Sequence, residues 1–270
     1  MPEPEALAKG RLADDLAIIE EAVKAAGDVA LAQFRDGIKG WRKSDGTPVS
    51  DADLAVNRLL ADRLLAARPT YGWLSEETSD DLGVRRGALT YLVDPIDGTR
   101  AFLSGGNDWC VGVALLAQNR PIAAAILQPV TGALYSAAAG LGATLNGRRI
   151  HVSDRRELAG AYLIAHHGLR KPERWTVPWP EVRYGMTFAM LLRLCRIADG
   201  SFDGMVALGR KSDWDVAAGD LMVSEAGGSV TDLSGAPLIY GGPGMSQNGV
   251  IAAGPALMEQ MIPLARGHRA

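Results

Sequence analysis

Tyr91-Leu92-Val93-Asp94-Pro95-Ile96-Asp97-Gly98-Thr99 is an apolar run that stops in two carboxylates three positions apart, then a glycine and a hydroxyl. A strand that delivers this set to a turn makes a site for hard cations and a phosphate. Asp94 and Asp97 supply anionic oxygens and the Ile96 carbonyl a third, the donor type that Mg2+ or Mn2+ takes in preference to thiolate or imidazole. Gly98 has no Cβ to keep a phosphate away from the backbone N–H groups of Gly98 and Thr99. Taken alone, the segment favours the plainer reading of a strand ending in an ordinary Asp-Pro, Asp-Gly turn.

Two other acidic segments shift that balance. Trp73-Leu74-Ser75-Glu76-Glu77 is another apolar run ending in carboxylates, and Asp213-Trp214-Asp215-Val216-Ala217-Ala218-Gly219 places an acid at the start of a helix predicted to run from Asp215 to Ala226. Ser50-Asp51-Ala52-Asp53 opens a further helix. There the serine and the acid three positions on match the pattern of a capping box, which by itself gives Asp53 a structural role.

Outward from these segments, Leu12, Leu16, Ile19 and Val23 recur at helical spacing, so Arg11 to about Phe34 reads as an amphipathic helix, with Asp14 and Asp15 in its first turn. The stretch Lys43-Ser-Asp-Gly-Thr-Pro48 reads as loop. Strands are predicted at Trp109–Ala117, Ile122–Gln128, Ala133–Ala138 and Ala143–Leu145, joined by Asn119-Arg120-Pro121, Thr131-Gly132 and Asn146-Gly147. These are hairpin signals for a mainly antiparallel sheet. The last third alternates strand and helix. The predicted class is therefore α/β (α+β), with layered sheets and helices.

The chain has 270 residues and a net charge of −3, enough length for a substantial core and no basic footprint for a nucleic acid polymer. No apolar run reaches membrane-spanning length, and the acidic Met1-Pro2-Glu3-Pro4-Glu5 start lacks the order of a signal peptide. Cys110 and Cys195 sit in apolar contexts and are too far apart in sequence for a zinc motif; a cytoplasmic location is expected. His166 and His167 are adjacent, so in a strand they face opposite ways and cannot chelate together.

The chain resembles the inositol monophosphatase superfamily of Mg2+-dependent, lithium-sensitive phosphomonoesterases from about Lys43 to Gly254. The likeness rests on Asp94 to Thr99, on Trp214-Asp215 with Ala217-Ala218-Gly219 and Glu225-Ala226-Gly227-Gly228, and on Gly140 to Gly147 followed by Ile150-His-Val-Ser153. It implies an αβαβα sandwich over 1–270, with a metal-loop half at 1–155 and a substrate half at 156–270. It also implies that Glu76, Asp94, Ile96 through its carbonyl, Asp97 and Asp215 hold two or three Mg2+ ions, with Mn2+ as a substitute. Asp53 and Thr99 would orient and deprotonate the attacking water, Glu77 beside Glu76 would stand behind the ligands or at a third metal as part of the catalytic set, and relatives are commonly dimers.

For the substrate the resemblance points two ways. Arg100 after the motif, the Leu208-Gly209-x4-Trp214 spacing and the lack of a polyol-binding glutamate resemble bisphosphate nucleotidases, implying 3′-phosphoadenosine 5′-phosphate held at Gly98, Thr99, Arg100 and Lys43. The nucleotidase Gly-Ser-Ser-Leu-Lys stretch appears here as Ala189-Met190-Leu191-Leu192-Arg193, a departure. Inositol-1-phosphate, histidinol phosphate or a sugar phosphate is the enzymatic alternative, and a metal-binding regulatory descendant of the fold is the non-enzymatic one.

Overall fold

The strand Cys110–Ala117 (β5) shows how the layers are built. Every residue from Cys110 to Leu116 is buried, yet Val111, Val113 and Leu115 enter one core while Cys110, Ala114 and Leu116 enter another. A pleat sends successive side chains to opposite faces, so a continuous apolar run marks a strand covered on both. This computed structural model describes residues 9–36, 40–42, 48–78, 88–165, 169, 171–242 and 244–269. Lys43, His166 and His167 lie outside the described residues.

β5 belongs to a seven-stranded sheet with Gly72–Ser75 (β3), Leu89–Asp97 (β4), Arg120–Gln128 (β6), Ala133–Ala138 (β7), Gly142–Leu145 (β8) and Arg148–Arg149 (β9), in the order β3-β4-β5-β6-β7-β8-β9. Only β3 and β4 run parallel; every other neighbouring pair is antiparallel, as the hairpin signals predict. A short hairpin of Gly40–Arg42 (β1) and Pro48–Ser50 (β2) stands apart.

One face of the large sheet is covered by Lys9–Asp36 (α1), with its buried Ile19, Val23 and Ala26, over β5 and β6, and by Asp51–Ala67 (α2), with its buried Val56, Leu60 and Leu64, over β4. Because α1 begins at Lys9, Asp15 is not in its first turn, as the helical spacing had suggested. Its carboxylate is fully buried and accepts bonds from Arg68 Nε at 2.7 Å and the Tyr71 hydroxyl at 3.0 Å, tying α1 to the end of α2.

The other face receives Met190–Ala198 (α4) and Ala217–Glu225 (α5), which are sandwiched against a second, mixed sheet. That sheet has the order β11-β10-β12-β14-β13, from Arg183–Gly185 (β11), Tyr162–Ala165 (β10), Gly204–Ser212 (β12), Ser246–Ala253 (β14) and Ser229–Thr231 (β13). Pro255–Ala265 (α6) packs its Leu257, Met258 and Met261 on the far side. The layers thus run helices, sheet, helices, sheet, helix: the αβαβα sandwich. Among the described residues no helix is long and apolar enough to cross a membrane.

Candidate active site

β4 ends at the site because Pro95 interrupts its ladder. Asp94 pairs with Gly112 of β5, but Asp97 pairs with Cys110, so the register slips by one residue where proline has no N–H to donate. Residues three apart in a regular pleat face opposite ways. The extra residue restores parity, bringing Asp94 and Asp97 to one side. Gly98 then turns the chain at φ 89° into Thr99–Leu103 (α3). Phe102 of α3 sits edge-on to Trp109 at 4.8 Å, and Phe34 of α1 lies against both, so α3 is pinned to the sheet by aromatic packing.

Only glycine meets both demands at position 98: a left-handed backbone, and a Cβ position 2.5 Å from the Asp108 carbonyl. Gly98→Ala should lower stability by about 1–3 kcal/mol, read as a fall in Tm, and should also cut activity because α3 must shift. An unchanged Tm would show that the turn is not held as described.

Asp53 does two things at once. Its Oδ2 accepts from the Ser50 main-chain N–H at 2.7 Å and the Ser50 hydroxyl at 2.5 Å, while Ser50 Oγ in turn accepts from the Asp53 N–H: the capping box at the start of α2. Its Oδ1 faces the Thr99 hydroxyl at 3.4 Å. Thr99 Oγ1 also lies 3.0 Å from the Ile96 carbonyl, and with one proton it serves one of these acceptors at a time. Burial, opposed by the Ser50 bonds, lifts the Asp53 carboxyl to about 6.

Asp97 is held from the opposite layer. Its Oδ2 accepts from the Leu191 N–H at 2.5 Å, so this acid caps the start of α4, and the Cys110 thiol lies at 3.9 Å. Burial first, then the charge of Asp215, push its carboxyl up to about 7. Asp215 does not open the next helix, contrary to the sequence expectation. The helix begins at Ala217, and Asp215 Oδ2 instead accepts from the Ser212 N–H at 2.9 Å at the end of β12. Burial raises it to about 6.

Asp94 is the most constrained of the acids. It is 2 % exposed, and its Oδ1 has no donor. Burial raises its carboxyl well above the usual range, followed by the charges of Glu76, Asp97, Asp215 and Asp53, so these four acids lie within electrostatic reach of it. Glu76 and Glu77 are half-buried in the turn after β3; Glu76 reaches this position because its N–H bonds the Val93 carbonyl of β4. Glu77 adds its charge to Asp53. Among the described residues no three of these side chains close on one point as a ready-made cage. One oxygen of Asp97 and one of Asp215 are engaged by the protein, and both of Asp53's have partners.

An orphaned, buried carboxylate oxygen ringed by other acids fits a hard divalent cation, which would supply the missing partner and relieve the repulsion. Arg100 stands exposed on α3. Sequence reasoning missed two half-buried cations near the acids, Arg193 of α4 and Lys211 of β12. Arg193 was visible only as a departure from a nucleotide motif, and Lys211 carried no signal.

The profile of the inositol monophosphatase family matches residues 12–270. The chain belongs to the inositol monophosphatase family. It is 35 % identical over 233 residues to an inositol-1-monophosphatase of Rhizobium meliloti, covering 82 % of this chain and 86 % of the relative. It is 33 % identical to the Nus factor SuhB of Xylella fastidiosa, covering 81 % and 82 %. The solved inositol monophosphatase of Anabaena superposes with a TM-score of 0.80 at 27 % identity, covering 96 % and 98 %. Membership makes this family member a hydrolase of the phosphatase class and accounts for the sandwich. It does not single out the bisphosphate nucleotidases, and the relatives above carry the inositol monophosphatase and SuhB names.

Proposed function

We propose that this family member hydrolyses a small polyol phosphate, inositol-1-phosphate, with Mg2+ held by Glu76, Asp94, Asp97, Asp215 and the Ile96 carbonyl. The observation that carries this is the buried Asp94 oxygen without a donor among converging acids. When bound, Mg2+ supplies Lewis acidity and lowers the pKa of a coordinated water. The chain's own part is to aim and deprotonate the attacking water. Thr99 Oγ1 takes its proton as the threonine's own proton passes to Asp53 Oδ1, whose carboxyl near 6 suits a base working close to neutral pH. Glu77, beside Asp53, helps keep that carboxyl raised. The Gly98 and Thr99 amides face the ester's phosphate.

The name of the Rhizobium relative supports inositol-1-phosphate over 3′-phosphoadenosine 5′-phosphate, the reading that Arg100 and Lys43 had suggested. The test is phosphate release with Mg2+ from inositol-1-phosphate, 3′-phosphoadenosine 5′-phosphate and histidinol phosphate, repeated with excess chelator and with lithium. Inositol-1-phosphate should lead by about tenfold or more in kcat/KM, a difference of about 1.4 kcal/mol in transition-state binding. Chelator should abolish release and lithium should inhibit it. A faster nucleotide would reinstate the nucleotidase reading, and full turnover in chelator would end the metal reading. The Xylella relative's name favours a second reading, a regulatory protein that keeps the acid cluster. It would be supported by Mn2+ binding without turnover of any ester.

A further inference from the structure

One buried acid close to the cluster has no part in the chemistry described so far. Asp213 is 1 % exposed, and its side chain is held by the segment 239–247. Its Oδ1 accepts from Gln247 Nε2 at 2.7 Å and its Oδ2 from the Gly241 N–H at 2.7 Å. Gln247 Nε2 also donates to the Ile239 carbonyl at 2.9 Å, so the same amide ties that segment to itself. The main chain of Asp213 is engaged as well. Its N–H donates to the Met245 carbonyl at 3.0 Å, directly after Ser212 and Ser246 close the β12–β14 ladder, and its carbonyl accepts from the Val216 and Ala217 N–H groups at 3.1 and 2.9 Å.

Asp213 thus anchors the turn from Ser212 to Ala217 at one end and closes it at the other. Asp215 projects from the middle of that turn, with its Oδ2 on the Ser212 N–H. Any residue could make the main-chain bonds. The side-chain bonds need two acceptor atoms, which an ionised carboxylate supplies with no donor of its own. Burying a negative charge two positions from Asp215, where acids already crowd, destabilises the metal-free fold. A neutral side chain would close the turn with less strain on it. The charge makes sense when a cation is bound, because a fixed anion nearby favours the ion and a rigid turn keeps the Asp215 oxygens in place for it.

We propose that Asp213 is a positioning residue of the metal site, clamping the Ser212–Ala217 turn to the segment 239–247 so that Asp215 is held ready for the ion. This rests on the metal-dependent phosphatase reading above. Asp213 acts through Asp215 and does not touch the ion, since both of its oxygens are taken by Gln247 and Gly241.

The test is Mn2+ binding to the metal-free protein by isothermal titration, with the Mg2+ dependence of phosphate release measured alongside. Asp213→Ala should weaken Mn2+ binding about 10- to 100-fold and raise the Mg2+ needed for half-maximal release by a similar factor, while KM for the ester at saturating Mg2+ stays within about twofold of wild type. Asp213→Asn keeps an acceptor for Gly241 and should recover part of the affinity. Gln247→Ala leaves the acid in place but removes one of its donors, and should weaken Mn2+ by about threefold, the scale of one ordinary hydrogen bond. That variant decides the matter if Asp213→Ala does not fold. A lower Tm with Mn2+ affinity and Mg2+ dependence unchanged would reduce Asp213 to a packing role and overturn the proposal. A wild-type protein that binds no Mn2+ would instead overturn the metal-dependent reading, and the positioning role with it.

Discussion

Asp94→Asn is expected to abolish phosphate release, by on the order of 10³-fold or more, while making the metal-free protein more stable. Both effects follow from one fact: an almost fully buried carboxylate with a donorless oxygen among four other acids. The amide removes a negative charge that the metal needs and the metal-free fold must endure. Sites of this kind trade stability for function. The pH dependence has a definite sign. Asp53, Asp97 and Asp215 are raised from 3.8 to about 6, 7 and 6, so between pH 4 and 7 the folded metal-free chain binds protons that the unfolded chain has released. Stability from these groups is therefore greatest at the acid end of that window, declines as pH rises through it, and stays low above it. Scanning calorimetry in chelator should show Tm falling from pH 5 to pH 7.5, with a shallower fall for Asp94→Asn. A steeper fall in the variant would show that Asp94 is not part of the mutually repelling set.

Thr99→Ala should leave Mn2+ affinity within about threefold of wild type yet reduce kcat by about 10²–10⁴-fold, the range expected for losing a positioned proton acceptor. The reason is geometric. Thr99 contributes no charge to the acid cluster, but its hydroxyl is the group between the Ile96 carbonyl at 3.0 Å and Asp53 at 3.4 Å. Isothermal titration separates this from a metal defect. Near-normal kcat in the variant would remove Thr99 from the proton path, and a large loss of Mn2+ affinity would recast its role as shaping the β4 end.

Much of the frame was legible because local patterns and packing agreed. β4 could be read from its apolar run and its acidic stop, and the hairpin strands from β5 to β8 appeared within two residues of where turn chemistry put them. The start of α2 was legible as a capping box, but that local reading concealed half the residue: one Asp53 oxygen does the capping and the other meets Thr99, 46 positions away. The start of α5 was misread because Asp215 looks like a cap in sequence, whereas Ser212 captures it first. β12 runs on to Ser212 against its local sequence. Gly209-Arg210-Lys211-Ser212 is polar and carries no strand period, and only pairing with β14 across the register slip extends it. The cations beside the acids followed the same logic. Arg100 was conspicuous next to the motif yet stands in solvent, while Arg193 and Lys211 arrive through helix packing and a kinked strand that no spacing rule encodes.

The Asp97 bond to the Leu191 N–H joins a strand of the first sheet to a helix of the next layer, and Asp53 and Asp215 reach the same spot from an outer helix and from the second sheet. The site therefore lies across seams and within no single layer. A slippage of any one slab that leaves secondary structure intact would pull a ligand away from its neighbours. Mild denaturant should accordingly extinguish turnover at concentrations where far-ultraviolet circular dichroism is still native, which would make the activity itself a gauge of how well the slabs are docked.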